Sequence, residues 1–156
     1  MTDHSIRYFA DDAAIRSVGE RFLSRSLPKA EWTHEGHLAT CLWLTHERSE
    51  VVVERDLPNL IRRYNESVGG VNDDTQGYHE TITQTYIAAI REHLAERPAG
   101  EPLIELVNTL LASDRGRRDW PLRFYSRERL SSVEARRSFV APDRQAVSMI
   151  RSDLST

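Results

Sequence analysis

The sequence predicts an all-α protein, a compact bundle of five to six helices with short connections. Apolar residues recur at helical spacing in nearly every segment. Prolines and capping residues fall where those stripes stop. No alternating apolar run is present that would pair as a strand, so helix-on-helix packing is the architecture left.

In chain order, Asp11 and Asp12 offer an N-cap to Ile15, Val18, Phe22 and Leu23, and Pro28 forbids continuation, so the first helix is expected over about 12–26. Thr33 caps a second helix with Leu38, Cys41, Leu42 and Leu44 on its apolar face, ending near Arg48. Val51-Val52-Val53 fits a strand or a helical turn and is read as helix for want of a partner strand. Pro58 then kinks that helix or opens a fresh one capped by Asp56. Gly69 to Asp74 is the clearest loop. It leads to a helix that opens around His79 and stops before Pro98. Pro102 starts the next helix, with Leu103, Leu106, Val107, Leu110 and Leu111 as its buried face. Leu122 to Tyr125 is expected as a helical turn. Ser131 to Glu134 reads as a capping box with Ser131 at the cap, opening a short helix to about Phe139.

The chain of 156 residues is long enough for one core, so residues 1–156 are read as a single helical domain. Order is expected over about 5–141, with 142–156 a loose tail. A net charge of −3 argues against nucleic acid as a partner. No apolar run reaches the roughly 20 residues of a membrane span, and no signal peptide opens the chain. With a single cysteine, these features point to the cytoplasm and away from a membrane. A homo-oligomer is left open.

Two stretches concentrate chemistry: Trp32-Thr33-His34-Glu35-Gly36-His37-Leu38 and Gly77-Tyr78-His79-Glu80-Thr81. His34 and His37 share one helix face, continued by Cys41. If the His79 helix packs alongside, three imidazoles converge as ligands for one divalent transition metal, zinc or iron. His34 to His37 is one residue too short for the zinc-protease motif. A di-iron carboxylate site is disfavoured because Gln76 stands where its second copy needs a carboxylate. His4 and His93 are read as exposed. Against a metal stands the simpler account in which each histidine caps its helix or satisfies a buried hydrogen bond.

Glu35 and Glu80 are candidate catalytic general bases, with support to the imidazoles and a favourable helix dipole as the alternatives. Thr83 and Tyr86, below His79, are candidate ligand-binding donors or packed wall. Six arginines between Arg115 and Arg129 interleave with Trp120, Phe124 and Tyr125. Arg123 and Tyr125 are candidates there for holding an anionic ring, against the reading of a solvated charged turn.

Trp32 to Leu38, Arg62-Arg63-Tyr64-Asn65, Gly77 to Thr81 and Tyr125 to Leu130 together resemble a group of small, uncharacterised bacterial helical proteins carrying WTHxxHL and GYHET motifs. The resemblance spans roughly residues 30–143. It implies that the motifs travel as one domain and brings no catalytic role.

Two functions are therefore expected. One is a mononuclear metal site on His34, His37 and His79, serving a hydrolase or an oxygen-using enzyme. The other is a non-enzymatic module for a small anionic ligand or a partner protein, with the histidines structural.

Overall fold

The computed structural model describes residues 5–144. Among them it has no strand and seven α-helices, five of which have ten residues or more. The predicted all-α bundle is what the chain forms. Residues 145–156 of the expected tail, and His4, lie outside the described residues.

Helix α1 (Asp12–Leu23) starts where Asp11 accepts the Ala14 N–H. It ends three residues earlier than expected. Arg25 takes a left-handed φ of 61°, and the N–H groups of Arg25 and Ser26 return to the carbonyls of Phe22 and Arg21. That double return closes the helix before Pro28 is reached.

Helix α2 (His34–Glu47) is the hub, packed against α1, α3 (Val53–Ser67), α4 (Glu80–Glu96) and α5 (Leu103–Ala112). Every residue from Leu38 to Leu44 is buried, the condition of a helix enclosed on all sides. Gly19 of α1 makes room for it, because a Cβ there would sit 2.3 Å from the Trp43 ring.

Helix α3 runs through Pro58 without restarting. Proline leaves the carbonyl of Glu54 without its in-helix donor, and the Gln84 side chain of α4 supplies one at 3.1 Å. The expected cap role of Asp56 is corrected: its carboxylate reaches back to the Val52 N–H at 3.0 Å instead. Val51 and Val52 are extended lead-in, and the helix begins at Val53.

The buried face of α5 is the predicted one, and Asp12 of α1 accepts the Ile104 N–H at its start. His93 is buried against this helix, at 5% exposure, and its Nε2 donates to the Leu106 carbonyl at 3.0 Å. The expectation of an exposed His93 is thus corrected. The polar-looking end of α4 turns inward because the α5 backbone offers an acceptor there.

The chain then makes short 3-10 turns at Asp114–Gly116 and Trp120–Arg123, followed by α6 (Arg127–Leu130) and α7 (Val133–Arg137). Ser126 caps α6 and Ser132, not Ser131, caps α7. A small second core of Tyr125, Ala135 and Val140 holds this segment together. Residues 142–144 belong to it: Asp143 accepts both the N–H and the hydroxyl of Ser126, and the Arg144 N–H donates to Phe124. No helix among the described residues is long and apolar enough to cross a membrane.

Candidate functional site

The start of α2 places His34 and His37 one turn apart, as the spacing requires, and the bundle gives them different surroundings. Thr33 caps the helix by accepting the Gly36 N–H at 3.0 Å. His34 donates its Nε2 hydrogen to the Gly116 carbonyl at 2.8 Å and meets Tyr86 edge to face. His37 lies against the Trp32 indole, with ring centroids 3.9 Å apart. Its imidazole makes no hydrogen bond among the described residues. Burial, reinforced by the neighbouring His34, pushes its pKa down to about 3, so the ring is neutral over the physiological range.

His79 is the N-cap of α4 rather than a member of its first turn. Its Nδ1 accepts the Ile82 N–H at 3.2 Å and its Nε2 donates to the Leu130 carbonyl at 2.7 Å. Both nitrogens are engaged, which fixes the neutral tautomer, and burial lowers its pKa.

The three histidines are therefore not a shared set of free nitrogens. His34 and His79 are held by backbone groups, and His37 alone keeps its ring nitrogens. Among the described residues no group of three or more His, Cys, Asp or Glu side chains could hold a metal ion. Cys41, on the same face, has its thiol pKa pushed up to about 12 by burial and is a poor thiolate donor. Two of the three imidazoles expected as zinc or iron ligands are thus hydrogen-bonded to backbone groups.

The space around these residues forms two adjoining chambers. The outer cleft, about 500 Å³, runs between α2, the end of α3, the 70–79 loop and the start of α4. The inner chamber, about 230 Å³, is walled largely by apolar side chains such as Leu38, Leu57, Ile87 and Ile90. Trp32, His37, Ile61, Ile82 and Thr83 line both. His37 thus stands at their junction. The outer cleft has Lys29 at its rim and no aspartate or glutamate in its wall.

The loop wall is built by Asn72. Its Oδ1 accepts from the Asn65 amide and the Tyr78 N–H, each at 3.0 Å, and its Nδ2 donates to the Arg62 carbonyl at 3.1 Å. Gly77 completes the turn at φ +84°, where a Cβ would lie 2.3 Å from the Val71 carbonyl oxygen. Arg136 of α7 donates to the carbonyls of Gly77 and Tyr78 and fastens the loop from outside.

The remaining expected site residues divide. Thr83 lines both chambers, and Tyr86 lines the inner one while its hydroxyl donates to the Arg117 carbonyl. Glu80, expected as a general base, a partner of the imidazoles or a first-turn carboxylate, accepts from the Tyr78 hydroxyl at 2.5 Å and from Gln84 at 3.2 Å. Burial, and then that bond to Glu80, raises the Tyr78 pKa. Arg123 pairs with Asp114 at 3.0 Å and lies over Trp120, and Tyr125 is buried with its hydroxyl on the Val140 carbonyl. Neither lines any of the three clefts. Glu35 faces a separate cleft, beside Arg118.

Sequence reasoning missed Trp32, Lys29, Asn65 and Tyr78 as cleft residues. The signal present was an indole directly before the Thr33 cap, and the only lysine of the chain a few residues earlier. No protein-family model, curated protein or solved structure matches the chain.

Proposed function

We propose that the protein is a binding module for a small amphiphilic acid, with the apolar body in the inner chamber and the anionic head in the outer cleft. The observation that carries this reading is His37. Its neutral imidazole has no hydrogen-bond partner among the described residues, is only partly buried, and faces the space where two chambers meet. A ligand head group supplies the missing partner. The cleft wall favours an anion, because it offers Lys29 and the His37 N–H and no carboxylate to repel one. Binding is favoured over proton-transfer catalysis. A base with a pKa of about 3 is far from the value that makes acid–base chemistry efficient near neutral pH.

The test is calorimetric titration with phenylacetate and octanoate, each beside its matching alcohol. The acids should bind saturably and at least about ten-fold more tightly than the alcohols. Lys29→Ala should narrow that margin. Equal binding of acids and alcohols, or no saturable binding of either acid, would overturn the reading.

A further inference from the structure

Behind His34 lies a third cleft of about 350 Å³, lined by Ile6, Glu35, Leu111, Gly116, Arg118 and the Arg117–Asp119 pair. Its charges are unevenly matched. Arg117 and Asp119 satisfy each other through two bonds, at 2.9 and 3.2 Å. Glu35 and Arg118 do not. The Glu35 side chain is 5% exposed, yet its Oε1 has no hydrogen-bond partner. Its Oε2 receives only a long 3.5 Å contact from the Arg7 N–H. Arg118 approaches Oε1 at 3.9 Å, outside hydrogen-bond range, and its guanidinium is half exposed. A carboxylate so deeply buried is normally paired and hydrogen-bonded. Here the floor of the cleft keeps one unsatisfied negative oxygen, and its rim one cation with free donors.

We propose that this cleft is a second binding site, for a small zwitterion of the α-amino acid type, with its ammonium on Glu35 and its carboxylate on Arg118. Adjacent ammonium and carboxylate groups bridge two protein charges set 3.9 Å apart, so that opposite charges alternate around a closed ring. Arg118 offers a fork that suits a carboxylate. Ile6 and Leu111 provide apolar wall for a side chain, which favours leucine, methionine or phenylalanine over polar amino acids. The site shares no lining residue with the outer cleft and only His34 with the inner chamber.

Titration of the chain with L-leucine, 4-methylpentanoate and 3-methylbutylamine tests this. The first carries both charges and the others one each. Leucine should bind saturably, with each single-charge analogue at least about ten-fold weaker. Glu35→Gln should weaken leucine without weakening the acid analogue, and Arg118→Gln should weaken leucine without weakening the amine. Arg118 is half exposed, so its variant folds whatever Glu35→Gln does. Repeating the titrations in His37→Leu removes the contribution of the outer cleft. Leucine binding should survive there, which separates this proposal from the previous one. The proposal is overturned if leucine, methionine and phenylalanine show no saturable binding at millimolar concentration. It is equally overturned if the acid analogue alone binds as tightly as leucine, or if neither substitution changes leucine affinity.

Discussion

His34, His37, His79 and His93 each have a pKa lowered below the ordinary value, with burial as the leading cause. The sign of the consequence follows directly. The unfolded chain takes up protons near pH 6.5 and the folded chain does not. Stability contributed by these groups is therefore complete above about pH 6.5 and falls as the solution is acidified. Each histidine removes up to about 1.4 kcal/mol per pH unit below that point, and His37 continues to do so down to about pH 3. Urea denaturation at pH 8, 6 and 5 should show this loss, and a chain carrying His79→Asn and His93→Gln should show a shallower one. At His79 two jobs can be separated. His79→Ala removes both the cap and the bond to Leu130 and should cost about 1–3 kcal/mol. His79→Asn keeps a capping oxygen and should recover about 1 kcal/mol of it. Equal losses would mean that the cap contributes nothing. The capping role was hard to see in advance because serine, threonine, aspartate and asparagine are the usual N-caps. A histidine at that position reads first as a member of the helix.

Helix boundaries divide in the same way between what neighbouring residues decide and what distant ones do. The Thr33 cap and the buried stripe of α5 are local and were legible. The passage of α3 through Pro58 was not, because the group that makes it tolerable is Gln84 on another helix. The cap of α7 lies one residue beyond the predicted one, since Ser131 and Ser132 are chemically alike and only the path of the chain selects between them. Gly19 gives the sharpest prediction at this scale. In an isolated helix, glycine to alanine gains about 1 kcal/mol. Here the added methyl would meet the Trp43 ring, so Gly19→Ala should instead destabilise by about 1–3 kcal/mol through overpacking of α1 against α2. Thermal denaturation showing a stabilised variant would mean that the two helices are free to move apart.

For the whole molecule, helical class was legible because periodic stripes and prolines report on every segment independently. The site was half legible. The two histidine motifs do mark the ends of helices that border the main cavities. The sequence brought the three imidazoles together, whereas the bundle commits two of them to backbone carbonyls that lie 82 and 51 residues away along the chain. No local pattern encodes those partners. The cleft wall likewise depends on Asn72, which gathers Asn65, Arg62 and Tyr78 around a loop that the sequence marks only as turn-forming. What remains is His37, a partly buried ring at the junction of the two chambers that no described residue hydrogen-bonds. Its assignment to ligand binding is tested most directly by His37→Leu. Leucine packs on Trp32 and brings no group that needs a partner. Urea denaturation of the variant should show stability within about 1 kcal/mol of the parent, while phenylacetate binding is lost. A variant destabilised by more than about 1 kcal/mol, or one that still binds phenylacetate as the parent does, would contradict the account and make His37 a structural residue of the core.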